Sequence, residues 1–217
     1  MNSLNRSLAP KKEPHYPSWP VIDQEMIHRV NQVLVSGKLN YWTGENCRKF
    51  EEEYADATEC EYAIALANGT LALELALYAS NICSGDEVVV TSRSFVASAS
   101  CVVNRGAIPI FADVNPESQN ISADTIEACL SERTKAIIVV HLAGWPCDMH
   151  SIATLAKAKN LTLIEDCAQA HGAKYKDRPV GSFGDLAAFS FCQDKIITTG
   201  GEGGMITSKS KKLNEKI

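Results

Sequence analysis

The feature that most constrains this chain is a series of short apolar runs, at residues 63–67, 87–91, 108–112, 136–141, 161–166, 186–191 and 203–207. Between most of them lie segments with apolar residues at helical spacing, at 71–79, 97–104, 122–130 and 149–159. Runs that are apolar nearly throughout leave no face for solvent. They belong in a sheet covered on both sides, and alternation with helices makes that sheet mainly parallel. The expected class is α/β. In such sheets ligands bind just beyond the carboxyl ends of the strands, so the polar residues at those ends are the ones to read for function.

The flanks are simpler. Residues 1–20 are polar and proline-rich and are expected to form an extended arm, with residues 21–217 as one large domain. Ile22, Met26, Val30, Val33 and Leu34 recur at helical spacing and Gly37 can end that helix. A second amphipathic stretch surrounds Phe50 and Tyr54, and the charged segment 209–217 reads as the start of another helix.

A net charge of −5 gives no electrostatic reason to expect a nucleic acid or an anionic membrane as partner. No secretory leader and no run of membrane-spanning length is visible, so the expected location is the cytoplasm. The eight cysteines form no C-x-x-C pair and read as reduced, mostly buried small hydrophobes; Cys192, close to Lys195, is expected to pack at a strand end. The first apolar run continues as AIALANGTL without G-x-G-x-x-G, and GGEGG at 200–204 lacks the Gly-Lys-Ser/Thr end of a P-loop. Scattered histidines suggest no metal, and no G-x-S-x-G nucleophile elbow is present.

Four strand ends carry candidate chemistry. At Asn68-Gly69-Thr70 a glycine lets backbone approach a ligand, and the following helix N-terminus suits a phosphate; the plainer reading is a glycine turn with Thr70 as helix cap. Phe95 could stack on a flat ring or be a core aromatic. Asp166, with Gln169 three residues on, could hold a pyridine nitrogen protonated or simply cap a helix. Lys195, after Ser190, could attack an aldehyde if its proton is removed, or be one more solvated surface charge.

Taken together these residues fall in the order phosphate loop, aromatic, acid, serine, lysine, glycine run. The segments NGT (68–70), SFVASA (94–99), EDCAQAHGA (165–173) and SFCQDKIITTGGEGG (190–204) resemble the sugar-nucleotide aminotransferases of the DegT/DnrJ/EryC1/StrS type, a resemblance running from about Tyr16 to the last residue. It implies pyridoxal phosphate as cofactor and pyridoxamine phosphate as its aminated form. Gly69, Thr70 and Ser190 would hold the phosphate, Phe95 would stack on the ring, Asp166 would bind the ring nitrogen, Gln169 would contact the hydroxyl side and Lys195 would form the Schiff base.

The resemblance further implies the type I, aspartate-aminotransferase-like fold: an α/β/α sandwich around a mainly parallel seven-stranded sheet, in which the strand at 203–207 runs antiparallel. An amino donor, glutamate, a keto-sugar nucleotide as acceptor, and a homodimer with the active site at its interface are also implied. Relatives that dehydrate sugars carry histidine where Lys195 stands, which favours transamination. The small C-terminal domain of the family has no counterpart before Ile217, so a truncated or regulatory pyridoxal-phosphate-binding protein without turnover is the alternative. The extra glycine in TTGGEGG is expected to lengthen the loop after Lys195. Trp42, Thr43 and Gly44 resemble the family's substrate-side segment, HLAGWPC (141–147) is expected at the rim, and Asp148 is expected to cap the next helix.

Overall fold

The computed structural model describes residues 19–217; the arm expected over residues 1–20 lies outside the described residues except for its last two. Helix α1 (Gln24–Ser36) starts where the Asp23 carboxylate accepts the Met26 N–H at 2.8 Å and ends at Gly37, whose φ of 68° is the left-handed conformation glycine adopts without strain. α2 (Asn46–Ala57) follows. Strands β1 (Tyr62–Leu66), β2 (Glu87–Thr91), β3 (Ile108–Ala112), β4 (Thr134–Val140) and β5 (Thr162–Asp166) then alternate with α3 (Gly69–Ala79), α4 (Ala97–Asn104), α5 (Ala123–Glu127) and α6 (Met149–Ala158). A small hairpin, β6 (Lys174–Tyr175) and β7 (Arg178–Pro179), precedes β8 (Leu186–Ser190), β9 (Gly204–Ser208) and the short α7 (Lys211–Asn214).

Two local expectations need correction. The cap of α3 is Asn68, whose Oδ1 accepts the Leu71 N–H at 2.9 Å, so Thr70 lies inside the first turn. α5 is much shorter than the 122–130 pattern suggests: Ser122 and Thr125 form a capping box, but Cys129 and Leu130 bond three residues back and tighten the chain into the turn that feeds β4. Asp148 caps α6 as expected, accepting from Ser151.

The seven-stranded sheet has the order β1-β9-β8-β5-β4-β2-β3. Neighbours from β3 to β8 are parallel, and β9 is antiparallel to both β8 and β1. The carboxyl ends of β1, β2, β4, β5 and β8 therefore share one edge. Successive side chains of a strand point to opposite faces, and both faces are filled. Val88, Val90, Ile138, Ile164, Leu186 and Ile206 pack under α3 and α4, while Val89, Ile137, Val139 and Leu163 pack under α5 and α6. Next to the latter, Ala187, Phe189 and Met205 meet Tyr54 of α2. The result is the expected α/β/α sandwich. Of the cysteines only Cys101, Cys147 and Cys167 are buried, fewer than expected, and all eight are free thiols.

The glycine run has a packing reason. A Cβ on Gly204 would lie 2.3 Å from the Asn68 carbonyl oxygen and 2.9 Å from the Gly69 nitrogen, both backbone atoms that cannot swing aside. Gly204 thus lets β9 lie against the loop that opens α3. Gly204→Ala is expected to lower unfolding free energy by about 2 kcal/mol in urea melts. Gly201→Ala, where an added Cβ meets nothing within 4 Å, should stay within about 0.5 kcal/mol of the parent.

Candidate active site

The two carboxylates at the end of β5 face opposite sides of the sheet and have opposite surroundings. Glu165 is fully buried and its oxygens accept from four donors: His141 Nε2 at 2.9 Å, and the backbone N–H groups of Gly181, Phe183 and Gly184 at 2.8, 2.8 and 2.7 Å. The Cys147 N–H donates to His141 Nδ1 at 3.1 Å, so the Nε2 of that ring carries the proton given to Glu165. Burial alone would raise the Glu165 pKa; the hydrogen bonds from His141 and from the Gly184 and Gly181 N–H groups outweigh it and hold it below the ordinary carboxylate range. His141, Glu165 and Cys167 lie within 4.8 Å of one another, yet with its acceptor positions taken Glu165 acts as a structural clasp between β4, β5 and the 181–184 loop.

Because Glu165 is held low, its contribution to stability is present above the unfolded carboxylate pKa and is lost as pH falls through the folded one. Glu165→Gln turns one acceptor oxygen into a donor facing other donors. It is expected to cost about 3 kcal/mol at pH 7 and to flatten the loss of stability on the acid side in urea melts at stepped pH.

Asp166 is also buried, but only two donors reach it: Ser98 Oγ at 2.7 Å on Oδ2 and the Ala168 N–H at 3.1 Å on Oδ1. Among the described residues no cation pairs with it. Burial raises its pKa, against the opposing hydrogen bonds of Ser98 and Ala168 and the charge of Lys195. No helix begins there, so the capping alternative fails. A buried carboxylate with unused acceptor positions at the carboxyl edge of a parallel sheet is suited to a ligand that brings an N–H, above all a cationic one.

Of the other candidates, Gly69 and Ser190 come together next to the strand that pairs with this acid, and the charge of Lys195 reaches it. Ile164 and Asp166 share a face with Leu186, Ala188 and Ser190 by the period of two, and the β5–β8 register pairs Asp166 with Ala188. Ser190 meets the start of α3: a Cβ on Gly69 would lie 2.9 Å from the Ser190 Cβ, so only glycine allows this approach. The first turn of α3 leaves the Gly69 and Thr70 N–H groups without intrahelical acceptors, beside the Ser190 hydroxyl. Free N–H groups at a helix start beside a hydroxyl are suited to an anion.

Gln169 receives the Ala143 N–H on Oε1 at 2.8 Å, which turns its amide NH₂ into the free end and holds the 141–147 stretch beside it. Phe95, at the entry to α4, is 66% exposed, so it is not the core aromatic of the alternative reading. Lys195 follows β8 in a loop. Its side chain is only 18% exposed, with Nζ 3.1 Å from Asp194, and its charge lowers the pKa of both Asp166 and His171. It is not an ordinary solvated lysine.

Sequence reading overlooked the supports. His171, buried among Tyr54, Phe189 and Phe191, donates from Nε2 to the Ser190 carbonyl at 2.7 Å and accepts the Tyr54 hydroxyl on Nδ1 at 2.6 Å. Burial pushes its pKa down and keeps it neutral, although its bond to Ser190 opposes the shift. Ser98 was overlooked too. Its signal was a hydroxyl on the apolar side of a short helix, one turn after Ser94.

Residues 20–217 match the model of the DegT/DnrJ/EryC1/StrS aminotransferase family. The chain is 43% identical over 203 residues to GDP-perosamine synthase of Escherichia coli O157:H7, covering 93% of this chain and 54% of that protein. An aminotransferase from Psychrobacter cryohalolentis superimposes with a TM-score of 0.91 at 56% identity, covering 94% of this chain and 51% of that one. NtdA from Bacillus subtilis, solved with bound cofactor PMP, gives a TM-score of 0.82 at 32% identity over 88% of this chain and 42% of that one. The chain thus spans about half the length of these relatives and shares the fold of solved aminotransferases.

Proposed function

Because this chain belongs to the DegT/DnrJ/EryC1/StrS aminotransferase family, we propose that it is the pyridoxal-phosphate-binding portion of an enzyme that transfers an amino group from an amino acid, glutamate, to a keto-sugar nucleotide. The observation that carries this reading is Asp166, buried with unused acceptor positions beside the Gly69–Ser190 contact. Pyridoxal phosphate supplies an electron sink for the carbon that loses a proton. In this reading the Gly69 and Thr70 N–H groups and Ser190 Oγ bind the phosphate. Phe95 would stack on the ring, Gln169 would offer its NH₂ to the ring's hydroxyl side, and Asp166 would hold the proton on the ring nitrogen.

Lys195 Nζ would be the amine that holds the cofactor's aldehyde carbon, with loss of water, and when freed by an amino donor it would carry the proton to and from the donor's α-carbon. Lysine at this position, rather than histidine, favours transamination over sugar dehydration. The relative that makes GDP-perosamine supports a sugar nucleotide as acceptor.

The same reading includes a second copy of the protein and a cytoplasmic location. α1 buries no residue against the rest of the described chain, and Met26, Val30 and Leu34 stand exposed. Trp42, Phe95, Trp145 and Ile196 are exposed as well. Apolar surface of this kind is suited to a partner subunit covering the site. No helix among the described residues is long and apolar enough to cross a membrane.

The test is incubation of the protein with pyridoxal phosphate, glutamate and a panel of keto-sugar nucleotides, with mass detection of products. An amino sugar formed together with 2-oxoglutarate is expected. Cofactor capture at Lys195 without any amino sugar would instead favour a binding protein without turnover.

A further inference from the structure

Asp166 is held by a hydrogen-bond chain that begins outside the site. Ser98 Oγ lies 2.7 Å from Asp166 Oδ2, and Ser94 Oγ lies 2.7 Å from Ser98 Oγ. An ionised carboxylate only accepts, so the single hydroxyl proton of Ser98 goes to Asp166 and Ser94 must donate to Ser98. If Asp166 were protonated on Oδ2, both bonds would reverse. The direction of the chain and the charge of Asp166 are therefore one property.

Ser98 occupies a position that packing alone would give to alanine. It is 1% exposed, and its helix otherwise buries Ala97, Cys101 and Val102 there. Its backbone N–H bonds the Phe95 carbonyl at 3.2 Å, so the same turn that places Ser98 on the acid also fixes the residue that carries the exposed aromatic ring.

We propose that Ser98 is a positioning residue: the Ser94–Ser98–Asp166 chain keeps the Asp166 carboxylate ionised and oriented toward a ring nitrogen, and ties that acid to the loop bearing Phe95. The role in cofactor binding rests on the pyridoxal-phosphate reading above, whereas the effect on Asp166 itself does not. Other groups face Asp166. The charge of Lys195, after β8, helps hold it ionised, and the His141 ring lies nearby at the end of β4. Cys101 on α4 has its thiol pushed up to about 12, by burial first and then by the charge of Asp166, and Cys167 is pushed up likewise, so both stay neutral. Ser98 supplies the only side-chain hydrogen bond to Asp166 among the described residues. Charge-assisted bonds of this kind are roughly twice as strong as neutral ones.

Infrared difference spectra against Asp166→Asn isolate the Asp166 carboxyl absorption in the protein without cofactor. In Ser98→Ala the protonated-acid band is expected to persist to higher pH than in the parent. Ser94→Ala, which alters only the outer link, should shift it the same way by less. A second readout, titration with pyridoxal phosphate followed by absorbance, should show affinity about tenfold lower in Ser98→Ala.

A folded Ser98→Ala protein, judged by an unchanged melting profile, whose acid band titrates as in the parent would overturn the proposal. Should Ser98→Ala not fold, an unshifted band in Ser94→Ala does the same. If the parent binds no pyridoxal phosphate, the cofactor reading fails while the infrared result still decides the chain. If the parent is captured at Lys195 and the band is unmoved, the reading stands and the proposal falls.

Discussion

Asp166→Asn is expected to stabilise the protein in the absence of cofactor while reducing transamination about a hundredfold or more. The two effects have one cause. Burial raises the Asp166 pKa above its unfolded value, so the folded state disfavours the ionised form. The stability this group contributes is complete below the unfolded pKa and is lost as pH rises through the folded one. Asparagine carries no charge at any pH and avoids that loss, a gain of about 1 kcal/mol. The difference between variant and parent should vanish in acid and grow as pH rises through the folded pKa. In the proposed reaction the same carboxylate keeps the ring nitrogen protonated, and an amide cannot. Thermal melts at stepped pH and steady-state rates check both halves. A variant that is less stable at neutral pH, with unchanged turnover, would contradict both.

The sheet was legible because its strands are apolar on both faces. The runs at 87–91 and 108–112 coincide with β2 and β3, and the pattern at 97–104 coincides with α4. The β6–β7 hairpin was not. Its strands are two residues long and its turn places Lys176 and Asp177 at φ of 49° and 66°, a conformation usually announced by Asn-Gly or Gly-Gly. Asn68 displaced Thr70 as cap because the helix starts at Gly69, two residues earlier than a Thr70 cap implies.

At the site, Gly69, Asp166, Ser190 and Lys195 could be singled out one at a time because each sits at or just past a strand end. Their supports could not. Ser98 and Asp166 are 68 positions apart, and Tyr54 and His171 are 117 apart. Contacts of such separation arise only when the sheet is assembled, and no local pattern carries them. The exposed apolar stripe of α1 shows the converse: its periodicity predicted the helix, but not that nothing in the described chain covers it.

Lys195→Ala carries the largest expected loss, at least about a thousandfold in amino transfer, since both the covalent attachment and the proton carrier disappear together. Binding should survive in weaker, non-covalent form, because Asp166, Ser190 and the start of α3 are untouched. A structural lysine would behave otherwise: its loss would lower stability and leave attachment of the cofactor unaffected. The deciding measurement is borohydride reduction of the protein mixed with pyridoxal phosphate, followed by peptide mass spectrometry. The account predicts one stoichiometric label, on Lys195, absent from Lys195→Ala. A label spread over surface lysines, or retained in the variant, would contradict it.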